Sequence, residues 1–261
     1  MFGAIDIGNT FAKVGLFEEN ELLEVVTGLE LEALDDFLSL KKVKSAIISS
    51  VTKNQQELDA IFEQAPFDKL VLSPATNIPI EKDYETPETL GADRLAAAVG
   101  ANFLYPDSHC LIIDMGTAIK YDYVSSDSGT GTFRGGIISP GMRIRFESLH
   151  TFTKRLPLVN ADEIPALIGK STKTCIQSGV VNGIIAEVNG MIENYTKLGK
   201  CQVILCGGDA SFFESQIKKP NFAGSTAKTL TGNTKIEIIP NLVLIGLNRI
   251  LRYNVEKLTT H

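Results

Sequence analysis

No two cysteines in this sequence are spaced as CxxC. Cys110, Cys175, Cys201 and Cys206 make up the whole complement, and buried thiols in a reducing compartment are the expectation. Histidine is scarcer still, with three, and neither His109 nor His150 has a partner at metal-ligand spacing, so a zinc site is not expected. No apolar run approaches the ~20 residues that a membrane-spanning helix requires. The opening MFGAIDIG carries an acid at position 6 and no basic stretch ahead of its apolar residues, so it reads as a first strand rather than a secretion signal. Basic charge is not in excess either. A net charge of -6 leaves no general surface for nucleic acid or for an anionic membrane, both of which take a basic patch. A cytoplasmic protein with no nucleic-acid or membrane partner is expected, and any anionic ligand has to be held locally.

What the chain does have is ordinary globular material: 261 residues, 44% hydrophobic and 21% charged. A chain of this size buries roughly 70–75% of its unfolded surface and needs no staple. The first residues alternate apolar strands with polar turns, Phe2 to Ile7, Ala12 to Phe17 and Leu22 to Val26, which predicts an antiparallel meander. A Leu-rich helix near 30–40, a strand over 43–51, a helix near 55–64 and a strand over 69–73 follow. From Leu111 the pattern starts again, with LIIDMGTAIKYDYV giving strand, tight turn and strand, and a third strand over 132–138. Asp6-x-Gly8 and Asp114-x-Gly116 lie 108 positions apart in the same context. An internal duplication of a β-meander followed by α/β units is the reading, with its boundary near Asp107. Helices are predicted over 142–152 and 172–195, the latter from Ile176, Val180, Ile184, Val188 and Ile192 at every fourth residue. The strand 202–206 then runs into Gly207-Gly208-Asp209, and Pro240 opens a last helix over 242–255.

Two familiar nucleotide motifs are absent. Gly169-Lys170-Ser171 resembles the end of a P-loop, but the glycine required five places earlier is Ile164, and no GxGxxG follows a strand. The chain instead has two turns between antiparallel strands, DIGNT at 6–10 and DMGT at 114–117. Glycine lets backbone amides approach phosphate oxygens, and Asn9, Thr10 and Thr117 add donors. The leading carboxylates of Asp6 and Asp114 would repel a polyphosphate unless a cation lay between, which points to cations near phosphate.

Taken in order, DIGNT at 6–10, Tyr84 seven places ahead of GADR at 91–94, DMGTA at 114–118, GGIISPG at 135–141 and CGGDA at 206–210 resemble the motifs of type III pantothenate kinases, members of the acetate kinase, sugar kinase, Hsp70 and actin superfamily. The resemblance spans nearly the whole chain, and GADR is its most distinctive part. It implies an α/β fold of two duplicated ribonuclease H-like (actin-like ATPase) domains, 1–108 and 109–261, with a cleft between. It further implies ATP-dependent phosphorylation of pantothenate to 4'-phosphopantothenate, the first step of coenzyme A biosynthesis, by a homodimer. Carried over position by position, Asp6, Ile7, Gly8, Asn9, Thr10, Phe11, Ala12, Lys13 and Thr117 contact ATP. Tyr84, Gly91, Ala92, Asp93, Arg94 and Thr172 contact pantothenate. Asp93 is the catalytic base, Asp114 holds a monovalent cation (K+ or NH4+), and Mg2+ accompanies ATP. Another small-molecule kinase of the superfamily and a non-catalytic transcription accessory factor are the alternatives. The sequence departs from the family at Lys120, where threonine is more usual, so phosphate or cation contacts are expected to differ there.

The residues of GADR support that reading independently. GADRLAAAVGANFL is the start of an alanine-rich helix with Leu95, Val99 and Phe103 on one face. Asp93 suits a helix N-terminus, which favours negative charge. Arg94 does not, and makes sense there only if it meets an anion, either a neighbouring carboxylate or a substrate's own.

Overall fold

The computed structural model describes residues 1–8, 12–50, 52–63, 65–127, 130–217 and 236–259. The expected meander is β1 (Phe2–Ile7), β2 (Ala12–Glu18) and β3 (Glu21–Leu29). A short 3₁₀ turn (Leu31–Ala33) and α1 (Leu34–Leu40) then carry the chain to β4 (Ser45–Ser50), which lies parallel to β1, and α2 (Gln55–Ile61) leads to β5 (Asp68–Val71), parallel to β4. The sheet order is β3-β2-β1-β4-β5. Alternation explains its core: Ile5, Ile7, Ala12, Val14 and Leu16 are buried against Leu34, Leu38, Leu58 and Phe62. Helix α2 starts where it does because Asn54 and Glu57 form a reciprocal capping box.

Next come β6 (Glu81–Lys82) and α3 (Ala92–Leu104), then the repeat: β7 (His109–Met115), β8 (Ala118–Asp127) and β9 (Thr130–Pro140). Two helices follow, α4 (Met142–Thr151) and α5 (Thr172–Thr196), then β10 (Cys201–Cys206), α6 (Ala210–Ile217), β11 (Ile236–Ile238) and α7 (Leu242–Thr259). The second sheet runs β11-β10-β7-β8-β9-β6. Replacing β1 to β5 by β7 to β11 turns one strand order into the other, so the duplication is present in the topology and Asp6 and Asp114 occupy equivalent strands. The predicted stripe of α5, Ile176 to Ile192, is buried over β7 and β10 in the second core. Cys110, Cys201 and Cys206 are buried thiols, as expected, and burial pushes Cys110 up to about 12, whereas Cys175 is exposed.

By contacts the chain forms two compact units, 1–107 with 124–135 and 241–261, and 108–123 with 136–240. A single cut at 108 therefore differs from the contacts in two places. The β8–β9 hairpin end belongs with the first unit, because Glu81 and Lys82 of β6 pair with Thr132 and Phe133. The last helix also returns to it, because α7 meets α3 backbone to backbone: a Cβ at Gly246 would lie 1.7 Å from Ala96 O, and one at Gly100 would lie 2.6 Å from Leu242 O. Among the described residues no helix is long and apolar enough to cross a membrane.

Candidate active site

The glycine contact between α3 and α7 fixes the helix whose first turn is GADR. Gly91 is its N-cap and supplies no side chain. Asp93 takes over part of that task, its Oδ1 accepting the Arg94 N–H at 2.9 Å, in line with the preference of a helix start for negative charge. The carboxylate folds back over Gly91 so closely that a Cβ there would lie 2.6 Å from Asp93 Oδ1. Glycine at 91 is thus a space requirement of the aspartate two places on.

Arg94 points inward and is 7% exposed. Its guanidinium lies 5.8 Å from the centroid of Tyr84 and 5.6 Å from that of Phe133, and the two rings are 5.7 Å apart at 59°. The register of β6 produces this arrangement. With Lys82 opposite Phe133 and the Asp83 N–H donating to Phe133 O at 2.9 Å, Tyr84 is delivered beside the ring, and Arg134 reinforces the join through Asp83 at 2.8 Å. Gly135, beside Tyr84, sits at φ +86°, a conformation that glycine adopts without strain. The structure thus brings Tyr84 and Gly91 to Arg94 together within the first unit. Phe133 was not expected from sequence; its position two residues before the GGIISPG motif was the available signal.

The first hairpin lies in the same unit. Asp6 is opposite Lys13 on β2 and beside Ser49 on β4. Ile7 and Ala12 are buried in the core, so only their main chains can serve a ligand. Gly8 O accepts from the Thr52 hydroxyl at 3.4 Å. Asn9, Thr10 and Phe11 lie outside the described residues.

In the second unit three glycine-bearing loops meet. Gly116 N–H closes the DMGT turn on Ala118 O at 3.1 Å, Gly141 N–H donates to Thr117 O at 3.0 Å, and Asp209 N–H donates to Met115 O at 2.9 Å. Gly207, at φ +90°, fits against the turn where no side chain could: its Cβ would lie 2.4 Å from Met115 O and 2.5 Å from Asp114 Oδ1. Thr117 is exposed at the tip, and burial raises the Asp209 carboxyl. Asp114, the expected ligand of a monovalent cation, instead carries the ammonium of Lys120, with Nζ 2.7 Å from Oδ2. Among the described residues no group of three or more His, Cys, Asp or Glu could hold a metal ion. Thr172 is exposed in the first turn of α5, after Ser171, whose side chain caps the helix reciprocally with Thr174.

Behind the Gly141 turn lies an ionic network that sequence reading missed. Arg145 donates to Pro140 O at 2.8 Å, to Ser139 Oγ at 3.0 Å and to Glu187 Oε2 at 2.6 Å, and the Tyr121 hydroxyl donates to Glu187 Oε1 at 2.9 Å. Burial works against the charge on Glu187, but hydrogen bonds from Arg145, Tyr121 and Ser139 outweigh it and hold the carboxyl below its usual range. Burial and the same carboxylate push Tyr121 up.

Among solved structures, a conserved protein of the Baf family of transcriptional activators from Campylobacter jejuni superposes with a TM-score of 0.59 at 19% identity, covering 97% of this chain and 99% of that one. The ROK hexokinase of Thermus thermophilus superposes with a TM-score of 0.54 at 13% identity, covering 95% and 97%. These likenesses define the class by fold, the duplicated actin-like ATPase architecture shared with sugar kinases. In sequence, the type III pantothenate kinase of Cytophaga hutchinsonii is 42% identical over 254 residues, 96% of this chain and 98% of the relative. The family model for type III pantothenate kinase matches residues 4–194, and the chain belongs to that family.

Proposed function

We propose that the chain phosphorylates pantothenate with ATP to give 4'-phosphopantothenate, the entry step to coenzyme A, as a cytoplasmic homodimer. The observation that carries this is the first turn of α3, where a carboxylate held by the helix start, Asp93, sits next to a buried guanidinium fixed by Tyr84 and Phe133. Proton acceptance and substrate binding are thereby assigned to one rigid element. The substrate's hydroxyl oxygen forms the new bond to the γ-phosphorus, the bond from that phosphorus to the bridging oxygen of ADP breaks, and the hydroxyl proton goes to Asp93. Arg94 and Tyr84 donate to substrate oxygens, Gly91 and Ala92 offer backbone at the helix start, and Thr172 contributes its hydroxyl.

Phosphate is assigned to the two hairpins, with the main chain of residues 6–13 and Thr117 as donors and Lys13 as counter-charge. Asp6 is the loop carboxylate that would hold a divalent metal arriving with ATP, directly or through water, and such a metal would supply positive charge to offset that of the phosphates. A monovalent cation on Asp114 does not fit, because Lys120 is already there. In favour of a homodimer, the segment joining α4 to α5 exposes Phe152, Leu158, Leu167 and Ile168, the first at 86%.

A coupled ADP-release assay tests the reaction. Pantothenate should be turned over, and Asp93→Asn should lower kcat by about 10²–10⁴ while ATP affinity and melting temperature stay as they were. Near wild-type turnover in Asp93→Asn removes the base. Release of ADP with a sugar or acetate but not with pantothenate overturns the substrate.

A further inference from the structure

The relation between Asp114 and Lys120 is set by the hairpin itself. Gly116 N–H donates to Ala118 O, and counting outward along the two antiparallel strands places Lys120 opposite Asp114, as Lys13 is placed opposite Asp6. The pair is largely withdrawn from water, with side-chain exposures of 17% for Lys120 and 18% for Asp114, and its 2.7 Å separation is that of a charge-assisted hydrogen bond. Oδ2 of the carboxylate meets the ammonium, and Oδ1 lies beside the backbone of Gly207, where an added Cβ would come within 2.5 Å of it.

Potassium, the ammonium ion and a lysine head group carry the same single charge and are of similar size. A tethered ammonium, however, does not have to be recruited from solution, so a free ion could reach this carboxylate only by displacing a charge already bound to it. We infer that Lys120 supplies from within the chain the positive charge that Asp114 would otherwise draw from a monovalent cation, so that this protein works without potassium or ammonium ion. Charge compensation at Asp114 is therefore permanent rather than dependent on salt composition. In the first hairpin Lys13 stands across from Asp6 in the strand register.

The inference rests on the kinase reading for its consequence in turnover, but nucleotide binding without an acceptor reads the same charge independently. ATP affinity by titration calorimetry and ADP release with pantothenate are compared in potassium, ammonium, sodium and choline chloride at equal ionic strength. Wild-type affinity and rate should agree within about twofold in all four salts, since no ion site is there to be filled. Lys120→Thr, which keeps a strand-compatible side chain, should lose about tenfold or more in ATP affinity in choline and regain most of it in potassium or ammonium. A wild-type ATP affinity that rises about tenfold from choline to potassium overturns the inference, as does a Lys120→Thr protein binding ATP equally well in choline and potassium. ATP binding that is independent of salt, with no ADP released from pantothenate in any of them, upholds the role of Lys120 and rejects the substrate instead.

Discussion

The hairpins at Asp6 and Asp114 share a plan, a strand ending in Asp-x-Gly with a lysine across the turn, yet they are held by different means. Among the described residues, the first is tethered at Gly8 by a side chain. Thr52 donates its hydroxyl to Gly8 O at 3.4 Å, and Thr52 is itself placed by the Ser50 hydroxyl, which accepts from its N–H at 3.2 Å and from that of Lys53 at 2.9 Å. The second is clamped by main chain, with Gly141 on Thr117 O at 3.0 Å, Asp209 on Met115 O at 2.9 Å and Gly207 filling the space between. Duplication conserved the sheet and left the supports behind each loop to diverge. A main-chain clamp makes a stiff, preorganised turn, the form that electrostatic stabilisation of a phosphoryl group requires. A side-chain hydroxyl on Gly8 O is a softer support.

The largest effects should come from spoiling the clamp. In Gly141→Ala the new methyl would lie 2.0 Å from Gly116 O, and in Gly207→Ala it would meet Met115 O at 2.4 Å in a backbone at φ +90°. Both contacts are with backbone that cannot swing away, so each variant should lose about 2–4 kcal/mol, read from urea midpoints. Gly208→Ala is the control, because nothing lies within 4 Å of its Cβ; its stability should stay within about 0.5 kcal/mol of wild type. If Gly207→Ala behaves like Gly208→Ala, the clamp is looser than its contacts imply.

A smaller effect is expected one layer back, where Arg145 ties the Ser139-Pro140 turn to Glu187 on α5. Glu187→Gln keeps the shape but removes the charge that Arg145 and Tyr121 address, and should cost about 1.5–3 kcal/mol near neutral pH. The pH dependence follows from the depressed carboxyl. Its stabilisation is fully present above the ordinary value of 4.5 and is lost as pH falls through the lower folded value. The gap in melting temperature between wild type and variant should therefore close in acid below about pH 4.5. A gap that stays constant down through that range would mean that the charge on Glu187 contributes nothing.

Much of this was legible in the sequence because period and turn chemistry are local. The meander, its repetition, the buried stripe of α5 and the helix at GADR all follow from spacing, and the shared Asp-x-Gly turns located both hairpins. Long-range register was not legible. Nothing near Tyr84 announces that the two-residue β6 will pair with Thr132 and Phe133 and set an aromatic pair around Arg94. Nor does Gly246 announce that α7 will return to α3 in the first unit; a glycine inside a helix reads as a weakness until its partner, Gly100, is known. Nothing in the spacing of Glu187 on α5 points to its partners Arg145 and Tyr121. Lys120 was visible as a departure, but its partner became evident only once the turn was seen to close on Ala118.

The smallest effect should come from the first hairpin, and it tests the contrast from the other side. Thr52→Val deletes the hydroxyl that reaches Gly8 O while keeping the β-branched shape. At 3.4 Å and exposed, that bond contributes little to folding, so stability should change by no more than about 0.5 kcal/mol. The tether's value is in holding Gly8 in one place before ATP arrives, and its loss should appear as an entropic cost on binding: KM for ATP up by about two- to threefold with kcat unchanged. A stability loss as large as that of Gly207→Ala would show that the first loop is held as rigidly as the second. A fall in kcat at constant KM would show that the tether acts in the transition state, and either result would remove the distinction between a clamped hairpin and a tethered one.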